Sequence, residues 1–290
     1  MSATQRNREI EIITPLGTDV LLLQSLTVTE GLGRLSVINI EVASVQDITF
    51  EDLLGQNVSI RLDMSLMRGI RYFNGYVSSI SQAVNEGRFA RYHLTIHPWF
   101  WVLTRTSDCR IFQEKTVPDI IKEVCNELGF TDIEDKLSIT YRTWEYCVQY
   151  RETDFNFLSR LMEQEGIYYY FTHEQGKHTL ILADSYSSHE PISGYEEIPY
   201  YPPDKAVVRD DECISSWFFS KSIQPGSYAM TDYDFSRPSA DLAVFANVAR
   251  EHEAAEHEIF DYPGEYQTTD VGDIHARTRI EELHTHYEQV

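Results

Sequence analysis

The segment "HEAAEHE", beginning at His252, is where this chain of 290 residues comes nearest to a metal chemistry. An H-E-x-x-H pattern sets two histidines four apart on one helical face around zinc, with a glutamate as base. Here His252 and His257 are five apart, about 140° around a helix, so the two rings diverge. The reversed order H-x-x-E-H fails as well, because an extra residue separates His252 from Glu256. A solvated acidic loop is the expectation. His284 and His286 stand two apart in a helical pattern, point in different directions, and read as surface histidines.

Nucleophile and phosphate chemistry fare no better. Ser227 follows Gly226 directly and lacks the second glycine of a G-x-S-x-G elbow. The 14 glycines form neither a P-loop nor a G-x-G-x-x-G cradle. Carboxylate pairs are abundant, among them Glu163 and Glu165, Asp210 and Asp211, and Glu281 and Glu282. Glycosidase chemistry needs two carboxyls with opposed pKa shifts at a fixed separation, and abundance argues against singling out one pair. Cys109, Cys125, Cys147 and Cys213 stand far apart without a C-x-x-C, so neither a zinc cage nor a disulfide scaffold is expected, and a reduced cytoplasmic interior fits. No catalytic residue, cofactor or metal ligand is nominated.

Composition narrows the partners. Apolar residues make up 42% of the chain and aromatics 12%, enough to build packed cores, and the length predicts about two domains. With 24 Lys plus Arg against 46 Asp plus Glu, the formal net charge is -22. Neither a nucleic-acid backbone nor an anionic membrane surface is the expected partner of such a chain. The start carries no apolar signal region, and no stretch is long and apolar enough to span a bilayer.

The elements that position these residues follow from periodicity. Between Glu9 and His97 short apolar runs alternate, as in "RYHLTIHPW", where Tyr92, Leu94 and Ile96 share one face; several such strands with close turns predict an antiparallel barrel or sandwich. "TVPDIIKEVCNELGF" predicts a helix capped at Thr116 and ended at Gly129. In "YCVQYRETDFNFLSRLMEQEGIYYYF" a strand, a helix and a second strand are expected in close succession. Thr153 or Asp154 caps the helix, Phe155, Leu158, Leu161 and Met162 form its apolar stripe, and Gly166 ends it. The rings from Tyr168 to Phe171 must then point to both faces of a strand, so both faces need cover. Trp99, Phe100 and Trp101 are read as core, not as a stacking platform. Strands are predicted in "HTLILADSY", "SSWFFSKSI" and "YAMTDYDF". The end is predicted helical, with Ile274, Arg277, Ile280, Leu283 and Tyr287 along one side and no closing strand after it, as in a truncated chain.

The stretch from Tyr146 to Phe171, with "PWFWVLTRTSDCRIFQEKTVPDIIKEV" before it and "YYPP", "YDFSRP", "FDYPGEY" and "ARTRIEEL" after it, closely resembles the VgrG family of type VI secretion spike proteins. The resemblance covers about Ile10 to Leu283. It implies an α+β, mainly β fold: two barrel-like antiparallel domains like those of the contractile phage tail hub, with short helices. The implied divisions are residues 1–106 as a first hub domain, 107–200 as an α+β domain holding the signature, and 201–290 as remaining hub strands and a terminal helix, with the OB-fold and β-helical needle missing.

The resemblance further implies a non-enzymatic hub that trimerises, adapts a hexameric Hcp tube to a trimeric puncturing needle, and meets baseplate proteins. Effectors and tip proteins would join through the missing C-terminal part. Such a chain would be cytoplasmic before assembly and then leave through the apparatus. Candidate structural or interface positions are Tyr146, Phe155, Leu158, Leu161, Met162, Gly166, Tyr168, Tyr169, Tyr170 and Phe171. Because three like-charged chains repel, Asp204, Asp210 and Asp211 are expected away from the seam, and salt should strengthen trimers. A contractile phage tail hub is the alternative within this class, and an acidic glycan hydrolase the alternative from another.

Overall fold

The computed structural model describes residues 4–64, 69–84, 87–191, 197–202 and 213–289; Asp204, Asp210 and Asp211 lie outside them. Two compact units result, Met1–Glu163 with Ile167–Glu190, and Gln164–Gly166 with Pro191–Val290. Among the described residues no helix is long and apolar enough to cross a membrane.

The first unit begins with six strands: β1 (Ile10–Ile13), β2 (Leu22–Thr29), β3 (Val37–Ser44), β4 (Asn57–Met64), β5 (Gly69–Gln82) and β6 (Ala90–His97). They pair antiparallel in the order β1-β4-β5-β6-β3-β2, which brings the two edge strands toward each other in a nearly closed barrel-like sheet. The alternation read in the sequence places Tyr92, Leu94 and Ile96 inside, packed with Ile38, Ile40, Val42, Ile60 and Val77. A β-bulge between Val77 and Ser79 and another between Leu23 and Ser25 bend the strands as closure requires.

No backbone ladder joins β1 to β2, and a side chain takes its place. Gln5, 5% exposed, accepts from the amides of Ile12 and Leu23 at 3.0 Å each, and its Nε2 donates to the Ile12 carbonyl at 3.1 Å. The Gln5 amide in turn donates to Asp19 Oδ1 at 2.7 Å, which pins the segment that carries the latch.

The same unit continues with β7 (Ser107–Phe112), α1 (Val117–Glu127), β8 (Ile133–Lys136), β9 (Cys147–Thr153), α2 (Asp154–Glu165), β10 (Tyr168–Glu174) and β11 (Lys177–Ala183). Helix α1 starts where the sequence placed it, in a reciprocal capping box between Thr116 and Asp119 with Pro118 in the first turn. Its inner face, from Ile120 to Cys125, packs with α2 and with Leu180 and Leu182 of β11 in a second core. Burial, with a smaller push from the Asp154 charge, raises the Cys125 thiol to about 12, so it behaves as a small hydrophobe. Strands β9 and β10 flank α2 as predicted but join different sheets, β9 pairing with β7, and β10 with β11 in the order β10-β11-β8.

The second unit holds β12 (Ser220–Lys221), β13 (Ser227–Met230), β14 (Val244–Asn247), β15 (Glu258–Asp261), α3 (Thr269–His284) and β16 (Glu288–Gln289). Strand β13 is central, antiparallel to β14 and parallel to β15. Its inward residues Tyr228 and Met230 pack with Val244 and with Ala276 and Ile280 of α3. Tyr266 locks this core: its hydroxyl donates to the Leu242 carbonyl at 2.6 Å, and its ring fills the space that Cβ atoms at Gly264 and Gly272 would need. A Cβ on Gly272 would stand 2.6 Å from the ring. That is the reason a helix interior tolerates a glycine here.

Four expectations need correction in this unit. The strand in "SSWFFSKSI" is only Ser220–Lys221, and that in "YAMTDYDF" is Ser227–Met230. Helix α3 buries Gly272, His275, Ala276 and Ile280, while Ile274 is exposed and Tyr287 lies past the helix end. The true inward stripe pairs a small glycine with a histidine, which a hydrophobic pattern does not mark. A short strand does follow α3, since Glu288–Gln289 pairs with Ser220–Lys221.

Candidate functional site

The signature from Tyr146 to Phe171 is organised by α2. Thr153 accepts from the Asn156 amide at 3.1 Å, so it caps the helix, and Asp154 is its first residue. Phe157, Leu158, Leu161 and Met162 are buried. Phe155 is half-buried, edge-on to Phe100 at 5.6 Å. The sequence reading named Phe155 and passed over Phe157, which stacks on Phe112 at 5.5 Å. The signal was present: buried positions 154, 157, 158, 161, 162 and 165 follow a three-four spacing that includes Phe157 and skips Phe155.

Asp154 is buried by its partners rather than despite them. Its Oδ1 accepts from Arg110 at 2.6 Å and from Gln149 at 2.7 Å. Burial alone would raise this carboxyl, but hydrogen bonds from Gln149, Thr106 and Arg110, with the guanidinium charge, outweigh it and hold the pKa below the usual carboxylate range. Arg110 also reaches Glu127 at 3.0 Å, so one cation ties β7, the end of α1 and the start of α2 together.

Gly166 ends α2 at φ +72°, in the left-handed region that glycine enters at little cost. Replacing it by valine is expected to lower the unfolding free energy by about 1–3 kcal/mol. Thermal or urea unfolding checks this, and an unchanged midpoint would contradict it.

Past that turn, β10 divides its rings between two faces. Tyr169 and Phe171 point into the core, with Tyr169 edge-on to Phe100 at 5.1 Å. Burial pushes the Tyr169 phenol well up, so it stays protonated. Tyr168 and Tyr170 are half-buried on the other face, beside His189; the Tyr168 hydroxyl donates to the Ser185 carbonyl at 2.9 Å. Tyr146 is 53% exposed, immediately before β9. The same outward side of the β7–β9 ribbon exposes Ile111, Val148 and Tyr150.

At the foot of the β10–β11 hairpin two histidines meet the barrel. His178, 3% exposed, accepts from the Trp99 amide through Nε2 at 2.8 Å and donates from Nδ1 to Asn74 Oδ1 at 2.7 Å. His173 Nδ1 accepts from the Asn74 amide at 3.1 Å, and the Gly176 amide donates to Ser59 Oγ at 2.8 Å. Asn74 is fully buried and its Nδ2 also serves Val58 and Ser59. Sequence reasoning missed this dock because lone polar residues carry no periodic signal.

The earlier near-misses stay apart. His252 and His257 lie in a turn-rich loop, and among the described residues no His, Cys, Asp or Glu group has the makings of a metal site. His284 closes α3, within 2.9 Å of the Pro225 carbonyl, while His286 is exposed. Trp99 and Phe100 are buried as expected and Trp101 half-buried.

Comparison with known proteins accords with this architecture. The family model of the phage tail baseplate hub (GPD) matches residues 29–290. The chain is 49% identical to the type VI secretion system spike protein VgrG1c of Pseudomonas aeruginosa over 100% of its own length and 40% of that protein. With VgrG1a of the same organism it is 48% identical over 99% of this chain and 44% of that one, so it spans less than half of these relatives. The tail protein of Neisseria meningitidis MC58 shares the fold at TM-score 0.66 and 10% identity, covering 95% of this chain and 76% of that one. The E. coli c3393 protein, described as a type VI secretion component similar to the T4 tail proteins gp27 and gp5, superposes at TM-score 0.58 and 22% identity over 79% of this chain and 57% of its own. A match over nearly the full sequence, joined to a barrel-like sheet shared with tail proteins, makes this chain a member of the phage tail baseplate hub family with VgrG spike proteins among its relatives.

Proposed function

We propose that the chain is the hub part of a type VI secretion spike: a homotrimer whose barrel-like domains adapt a hexameric Hcp tube to a trimeric puncturing needle, and a scaffold rather than an enzyme. The observation that carries this reading is 49% identity to a VgrG spike protein across the whole chain. On this reading residues 1–106, 107–200 and 201–290 are the first hub domain, the signature domain and the remaining hub strands. The chain is made in the cytoplasm and leaves the cell with the apparatus, contacting baseplate proteins and carrying effectors on parts of the spike beyond this segment.

The seam draws on apolar surface left wet in the single chain. Ile111, Tyr146, Val148 and Tyr150 expose one such patch; on β14 and β15, Phe245 and Phe260 flank Ala229 in a second, 69% and 63% exposed. Contiguous apolar surface of this kind is typical of faces covered by a partner. Against it stands three times the formal charge of -22. Sedimentation of the chain, alone and with Hcp, is therefore expected to give a trimer whose association strengthens with salt. A monomer that ignores Hcp under all conditions would defeat the hub reading; equal or weaker association in salt would defeat only the electrostatic part.

A contractile phage tail hub is the second reading, favoured by the family match itself. Neighbouring genes for a capsid and tail, in place of a secretion apparatus, would decide for it.

A further inference from the structure

From the hydrogen bonding at the foot of the β10–β11 hairpin, we infer that the hairpin is docked on the barrel by an acid-released latch whose titrating member is His178, with His173 beside it as a second hydrogen-bond acceptor. Each histidine spends one ring nitrogen as the acceptor for a backbone amide, Asn74 to His173 Nδ1 at 3.1 Å and Trp99 to His178 Nε2 at 2.8 Å. The other nitrogen of His178 donates to Asn74 Oδ1. A second proton on His178 has no acceptor to reach and would set two N–H groups head to head. The two rings lie 5.9 Å apart.

The surrounding charges oppose one another. Glu30 stands 3.5 Å from His173 Nε2, and Arg71 holds the same carboxylate at 2.9 Å. Asp132, which would favour a charge on His178, is engaged by Lys177 at 2.9 Å. Burial, helped by neighbouring His173, depresses the His178 pKa to about 3. The docked state therefore refuses the proton that an undocked hairpin accepts. Since the folded value lies below the unfolded one, the dock is complete above the ordinary histidine range and weakens as pH falls toward the folded value.

Hydrogen exchange of the full chain tests this, with rates corrected for the intrinsic pH dependence of exchange. Protection of the Asn74, Trp99 and Gly176 amides is expected to fall about 30-fold between about pH 7.5 and about pH 5, the effect of one histidine with an undocked pKa near 6.5. Barrel amides distant from the dock, such as those of Ile40 and Val42, should hold their protection. His178→Gln, which keeps a donor and an acceptor but does not titrate, should reduce the fall to less than about 3-fold. Unchanged protection in the native chain, an equal fall in the variant, or a fall shared by the whole barrel would each overturn the latch. Should the variant fail to fold, ring-nitrogen NMR of the native chain decides: a neutral His178 in docked molecules near pH 5 supports the latch, and a docked imidazolium refutes it.

Discussion

Gln5→Ala is expected to lower the unfolding free energy by roughly 3 kcal/mol or more, because it strips partners from three buried backbone groups, each worth about 1–3 kcal/mol when left unsatisfied. Those groups are the Ile12 amide and carbonyl and the Leu23 amide, all served by one side chain at the barrel seam. Urea unfolding followed by far-UV circular dichroism measures the loss. Gln5→Glu, which keeps the acceptors and loses the donor to the Ile12 carbonyl, should fall between the two. A loss below about 1 kcal/mol for Gln5→Ala would mean that water enters the seam and replaces the latch.

Asp154→Ala is the second large effect, expected at about 3–5 kcal/mol, because it removes one partner of a buried ion pair and strands the other. The side chain is 1% exposed and Arg110 is 17% exposed. The remaining contact of Arg110 with Glu127 places the expected loss toward the lower end. The same carboxylate gives a pH signature. Its folded pKa is depressed, so its contribution is present above the ordinary aspartate value and lost as pH falls through the folded value. Asp154→Ala should therefore show a shallower acid limb than the native chain, and parallel acid limbs would refute the assignment.

How much of this was legible in the sequence depends on whether apolar spacing carried the information. Helix α1 was readable from Thr116 to Gly129, and the barrel strand holding Tyr92, Leu94 and Ile96 from its alternation, because one-sided burial imposes a period. Helix α2 was readable in place and length, and its stripe from Phe155 to Met162 does pack on the core, but the fully buried Phe157 was passed over because both phenylalanines are apolar and spacing alone ranks them. Helix α3 was readable as a helix, with Ile280 on its inner side, but most of its inward face was not, since that face is Gly272, His275 and Ala276, with Gly272 set against the Tyr266 ring. Gln5, Asn74 and His178 resisted for a different reason. Each satisfies backbone groups far away in the chain, over separations that local pattern cannot reach.

The hairpin dock bears on where this molecule can be cut. Trp99 and Asn74, both before residue 106, obtain hydrogen-bond partners from residues 173 and 178. Anyone trimming the gene to obtain the barrel alone would expose a buried amide and a buried carboxamide, and should carry the reading frame past Ala183 to recover a soluble product.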